Sequence, residues 1–149
     1  DLVIVNQVLE HVKDHFWLMH EITRVLAPGG HLVIGVPNLA SLHNRLLLLF
    51  GRQPTSIANT SAHLRGWTAG DLGRFLAIGG CYRRVARRGA NFYPFPPILA
   101  RPLAACFPGL AWGCMTLWHK RADAQYADAF LRYPAARQLE TNFFVGHDS

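Results

Sequence analysis

Carboxylates are scarce in this chain of 149 residues: 9 Asp+Glu stand against 15 Lys+Arg, a formal charge of +6, and only 16% of residues are charged at all. Half of the residues are apolar. That balance excludes a disordered chain, which stays open through low hydrophobicity and high charge, and it predicts a packed core. Long apolar runs are missing as well. The run Leu46–Phe50 falls far short of the ~20 residues that span a bilayer, so no membrane-spanning helix is expected. No charged n-region leads into an apolar stretch at the start, so no signal peptide is read. Cysteine is limited to Cys81, Cys106 and Cys114, an odd number with no C-x-x-C. This argues against a disulfide scaffold and fits reduced, buried thiols in a cytoplasmic protein. No histidines stand at clear zinc-ligand spacing, so no metal site is expected. The densest basic cluster, Arg83, Arg84, Arg87 and Arg88, reads as a solvated strand and turn rather than a nucleic-acid surface.

What is present begins at once. Asp1 is followed by Leu2-Val3-Ile4-Val5, a continuous apolar run of the kind a parallel strand shows when both faces are covered. A domain rarely starts inside its own core, so the chain reads as the C-terminal part of something longer. Asn6-Gln7 ends the strand, and Val8-Leu9-Glu10-His11-Val12 forms a turn or short helical link. Asp14 suits the N-cap of a helix over about 15–26, with Phe16, Met19, Ile22, Val25 and Leu26 on one face. Pro28-Gly29-Gly30 stops it. His31 to Val36 is the next strand, closed by Pro37-Asn38. Strand, helix and strand in this order predict a right-handed βαβ unit.

The second half changes character. Leu39 to Phe50 reads as a helix stopped by Gly51, and 52–66 as a polar loop. Thr68-Ala69-Gly70-Asp71 resembles a capping box with Asp in place of Glu. Its helix carries Leu72, Phe75, Leu76 and Ile78 and ends at Gly79-Gly80. Cys81 to Val85 is a candidate strand. Three prolines in Asn91–Pro97 forbid regular structure there. A short helix interrupted by Pro102 spans 98–107, a final strand spans 110–119, and a tail helix is expected near 122–132.

The stretch D-L-V-I-V-N-Q-V-L-E-H-V-K-D from Asp1, with E-I-T-R-V-L-A-P-G-G-H-L-V-I-G-V-P-N from Glu21 to Asn38, resembles class I S-adenosylmethionine-dependent methyltransferases. The nearest flavour is the small-molecule branch that includes ubiquinone-biosynthesis methyltransferases. His63-Leu-Arg-Gly-Trp-Thr68 with Asp71-Leu72 resembles the family's later helix. The resemblance fades after about Tyr93. It implies an α/β, Rossmann-like fold in which residues 1–121 are the C-terminal part of the domain, with an insertion at 39–66 and a tail of unplaced role at 122–149. The strands here would be the fourth to seventh, the last antiparallel and inserted between the fifth and sixth. The family's G-x-G-x-G turn and the acid that binds the ribose are both absent from the 149 residues.

The resemblance also implies a site. A sulfonium methyl is already a strong electrophile, so such an enzyme mainly aligns the acceptor and excludes water. Ligands of open α/β sheets bind beyond the carboxyl ends of the strands, here Asn6, Gln7 and Val8 for the methionine end of S-adenosylmethionine and Asn38 for substrate. His11 either packs over the sheet end and bonds a backbone carbonyl or takes part in proton transfer; Glu10 reads as a solvated turn carboxylate rather than a base. His63 is either a surface loop residue or a substrate-facing base. Arg65, Trp67 and Tyr93 are candidate substrate contacts, though Trp67 also suits a hydrophobic staple before the Thr68 cap, and Tyr93 a core plug. Leu46–Phe50 cannot hide five apolar side chains on one helical face. Burial beneath the polar loop is expected; the alternative is a lid over an apolar acceptor or contact with a membrane surface. The expected function is therefore methyl transfer to a small or lipid-like acceptor. The alternative is a non-catalytic remnant or regulatory domain that keeps the fold, and a nucleotide-binding α/β domain using NAD ranks behind both.

Overall fold

The computed structural model describes residues 1–122, 128–137 and 139. The apolar run at the start forms β1 (Leu2–Asn6). The helix α1 (His15–Val25) follows, and the Asp14 side chain accepts from the Trp17 amide at 2.9 Å, which satisfies a first-turn donor. Phe16, Met19 and Ile22 put its apolar face in the core. Leu26 leaves the helical conformation and Gly29 takes a φ of 76°, where a side chain would be strained. The chain then enters β2 (His31–Pro37), parallel to β1 with Leu2 opposite His31 and Asn6 opposite Gly35. This is the expected βαβ unit.

Ser41 caps α2 (Leu42–Leu49), which starts later than expected because Leu39 and Ala40 are held in a turn around Asn38. The Thr68–Asp71 pair does cap α3 (Ala69–Leu76): the Asp71 amide donates to Thr68 Oγ1 at 3.0 Å and the hydroxyl donates back to the carboxylate. That helix stops at Leu76, and Ile78–Gly80 is a separate 3-10 turn with Gly79 at φ 69°. The next strand, β3 (Tyr82–Ala90), is longer than the expected 81–85. A bulge between Arg84 and Ala86 resets its alternation, which hides the strand from a period-2 reading. The helix α4 (Pro97–Cys106) runs through Pro102 rather than breaking there. The proline forfeits a bond to the carbonyl of Ile98, a residue at the exposed start of the helix. The strand β4 (Gly113–Lys120) and the helix α5 (Ala129–Ala136) complete the order. The helix expected at 122–132 therefore sits further along; positions 123–127 lie outside the described residues.

The sheet order is β1-β2-β4-β3, with β4 antiparallel to both neighbours. Four strands with helices make a mixed α/β fold consistent with a Rossmann-like methyltransferase, and the last strand is antiparallel and inserted as the resemblance implies. Leu32, Ile34 and Val36 of β2 and Cys114 and Trp118 of β4 meet α1, α3 and α5 in one core, with Phe130 2% exposed. Lys120 ties the sheet to the helix layer. Its buried ammonium donates to the carbonyls of Thr23 and Leu26 at 2.6 Å each, closing the C-terminus of α1 with a positive charge. The opposite face of the sheet carries Leu2, Ile4, Val33, Met115 and Leu117, none of them buried. On β3, Arg83, Arg84 and Arg88 are exposed, and the Arg84 guanidinium lies 6.0 Å from the Trp118 ring centroid.

Candidate functional site at the carboxyl end of β1

Four segments converge beyond the carboxyl ends of the parallel strands, and their backbones explain why. Asn38, 1% exposed, donates to the carbonyls of Gly109 and Ala111 at 2.9 Å each and accepts from the Ala40 amide. Asn44, also buried, donates to the Asn38 carbonyl at 3.1 Å and to Ser56 Oγ at 3.0 Å. The polar loop is thereby pinned to the start of α2. Arg65 then straps the loop to the link after β1, donating to the carbonyls of Lys13 at 2.7 Å and Val12 at 3.3 Å. The Leu64 amide donates to the Glu10 carbonyl at 2.7 Å.

This strapping brings Glu10, His11 and His63 together: one ligand-type atom of each lies within 4.8 Å of the others. The His11 and His63 rings meet edge to face at 4.7 Å, and His11 Nε2 lies 4.0 Å from Glu10 Oε1. Glu10 is 1% exposed, and neither carboxylate oxygen has a hydrogen bond among the described residues. The solvated-turn reading of Glu10 is therefore wrong. The 62–65 segment is bonded to this link, through the Leu64 amide and the Ala62 carbonyl, and contacts across more than 50 residues leave no local sequence signal. An unpaired buried carboxylate is costly unless a positive partner joins it.

The two imidazoles are oriented alike. His11 Nδ1 sits 3.2 Å from the Ala62 carbonyl and His63 Nδ1 sits 2.9 Å from the Ser56 carbonyl. A carbonyl can only accept, so a neutral ring there carries its proton on Nδ1 and leaves Nε2 with a lone pair. A backbone carbonyl on the far nitrogen is how proteins commonly orient metal-binding histidines. His11 makes the carbonyl bond that a structural role requires, and the same bond bares its other nitrogen. No metal site was expected from spacing, because the third group arrives from a loop far along the chain.

The remaining candidates divide. Asn6, Gln7 and Val8 are exposed at the end of β1. Gln7 has a φ of 55°, and its amide donates to the Gly35 carbonyl at 2.8 Å. A side chain at Gly35 would collide with Asn6 and Met115, so glycine there lets Asn6 lie across the neighbouring strand. Asn38 Nδ2 and Arg65 Nη2 each donate to two backbone carbonyls, which makes these residues the supports of the site. Trp67 is buried between His15 and Phe75, at 5.7 and 5.2 Å between ring centroids, so its side chain is core. Tyr93 is half exposed against His43 and Trp112 and does not plug the core. The expected burial of Leu46–Phe50 fails: Leu49 and Phe50 are 75% and 76% exposed, and Leu46 and Leu48 about half. The polar loop is pinned at Asn44, near the start of α2, so the far end of the helix projects beyond it.

His15, four positions after His11, is held neutral. Burial, reinforced by the charge of Arg65 and opposed by Asp14, lowers its pKa from 6.5 to about 4. A cleft of about 510 Å³ lined by Tyr82, Arg83 and His119 lies at the other end of the sheet, since His119 pairs with the first residue of β2.

Residues 1–34 match a family model described as a methyltransferase domain. That match supports a class I methyltransferase domain. It covers β1, the link with Glu10 and His11, α1 and the first part of β2, and stops short of Asn38 and His63. No curated protein matches the chain.

Proposed function

We propose that the chain is the acceptor-side part of an S-adenosylmethionine-dependent methyltransferase acting on a small or lipid-like acceptor, with Glu10, His11 and His63 as its activating centre. The observation that carries this reading is the coincidence of two independent features. The methyltransferase match runs from β1 into β2, and Glu10, a buried carboxylate with no hydrogen bond among the described residues, sits beside two oriented imidazoles just past the carboxyl end of β1. The sheet order, with an antiparallel last strand inserted, supports reading β1, β2, β3 and β4 as the fourth, fifth, sixth and seventh strands of the family fold.

The fit to S-adenosylmethionine is one-sided. Asn6, Gln7 and Val8 offer an exposed margin for the methionine end, but none of the four strands ends on an acid and no G-x-G-x-G turn occurs. When bound, the cofactor supplies a methyl group already activated by its sulfonium. This chain's own residues do the rest. Gln7 and Asn6 would border the cofactor, Arg65 and Asn38 fix the loops, and the cluster sets two imidazoles, each held by a carbonyl at Nδ1, beside the buried carboxylate. Two imidazoles and one carboxylate suit a first-row divalent ion such as Mn²⁺ or Zn²⁺. An ion held there would neutralise Glu10 and polarise an acceptor oxygen.

The test is methyl transfer from radiolabelled S-adenosylmethionine by the protein that contains this chain. Turnover that falls about 10²–10⁴-fold in His63→Ala, with cofactor affinity nearly unchanged, agrees with an activating role. Full turnover in both His63→Ala and Glu10→Gln contradicts it.

A further inference from the structure

We infer that the surface formed by the end of α2 and the start of α4 docks on an anionic bilayer. This goes beyond the methyl-transfer reading and does not depend on it.

The two helices share a side of the molecule. The His43 ring lies 4.7 Å from the Tyr93 ring, and the Leu42 amide donates to the Leu110 carbonyl at 2.9 Å. Leu42 also packs on the small cluster of Phe92, Ala100, Ala104 and Ala111 that seats α4. The first turn of α2 is therefore fixed beside the Tyr93 loop. Residues three, four and seven on from His43 continue its stripe, so Leu46 and Phe50 extend outward from that contact. Beyond Tyr93, Phe95 and Ile98 are also exposed, Ile98 at 82%. Leu49 and Phe50 sit at the projecting tip, before Gly51. An apolar projection of this size is unusual on a surface facing only water.

Charge selects the occupant. Neither 39–66 nor 91–112, the segments that build this side, contains an Asp or Glu. Arg45, Arg52 and Arg101 are exposed within them. A second copy of the same face would set arginine against arginine and offer no carboxylate. An anionic lipid surface matches both features: acyl chains for the leucines and phenylalanine, headgroup phosphates for the guanidinium groups. Apolar insertion and basic attraction are the two signals that together give stable peripheral anchoring. No helix among the described residues is long and apolar enough to cross a membrane, so the contact is with the surface.

The experiment is flotation of the whole chain with phosphatidylcholine vesicles, with and without phosphatidylglycerol, at low and high salt. Flotation separates vesicle-bound protein from self-associated protein. The expected result is binding that requires phosphatidylglycerol and weakens with salt. It falls about a hundredfold in the Arg45→Ala, Arg52→Ala, Arg101→Ala variant and at least about tenfold in Leu49→Ser, Phe50→Ser. All five side chains are exposed, and unchanged thermal unfolding of both variants shows that the loss is local. Three results would overturn the inference. One is equal binding to neutral vesicles, and another is no binding to anionic ones. The third is binding unmoved by these variants but removed by Arg83→Ala, Arg84→Ala on β3.

Discussion

Glu10 is the residue on which stability and function pull apart. Its carboxylate is buried with no hydrogen bond among the described residues, so in the metal-free chain it is a burden. Glu10→Gln removes the charge and keeps the shape. We expect the metal-free variant to be more stable than the parent by about 1 kcal/mol, read from urea midpoints, while divalent-ion binding disappears. A loss of stability would mean that the carboxylate already has a stabilising partner. His15 makes a pH prediction. The unfolded chain binds a proton there with a pKa near 6.5, the folded chain only near 4. Between these values the unfolded state holds more protons, so stability falls as pH drops from about 6.5 to about 4 and levels off below. His15→Phe should flatten that part of the profile; an unchanged slope would assign it to other groups. Of the site residues, His11 and His63 could be named from sequence because histidine is conspicuous in a strand-end link and a polar loop. Glu10 could not, because the segment bonded to its link comes from residues 62–65.

Elements closed by local chemistry were legible. The Asp14 cap of α1 and the Thr68–Asp71 cap of α3 each depend on residues three apart, and both appear in the structure. Elements shaped by tertiary contact were not. The bulge in β3 hides its second half from a period-2 reading, and α4 passes through Pro102 at the cost of a bond to the carbonyl of the exposed residue Ile98. The closure of α1 by Lys120 was also invisible, since 94 positions separate the ammonium from the Leu26 carbonyl. Two charge-assisted bonds at a helix C-terminus are worth about 2–3 kcal/mol. Lys120→Met should lower stability by about that amount, with amide exchange in the last turn of α1 accelerating before the rest. Uniform acceleration along the chain would show that Lys120 acts on the core as a whole.

Across the whole molecule, the helices of the core cover one face of the sheet, while Leu2 and Ile4 on the other face are more than half exposed and β1 has one strand neighbour among the described residues. Such a surface pairs with whatever apolar surface it meets. We expect sedimentation to show concentration-dependent association of the chain, and Ile4→Lys to shift it towards monomer without lowering the melting temperature. A monomer at every concentration would mean that this face is stable in water.

If Glu10, His11 and His63 form one functional centre at the carboxyl end of β1, calorimetric titration of the chain with Mn²⁺ and Zn²⁺ detects it. One ion per chain is expected, with affinity that weakens at least about tenfold in each of Glu10→Gln, His11→Ala and His63→Ala, and weaker binding at acid pH, where protons compete for the ligand atoms. No binding by the parent chain, or binding that survives all three substitutions, would contradict it.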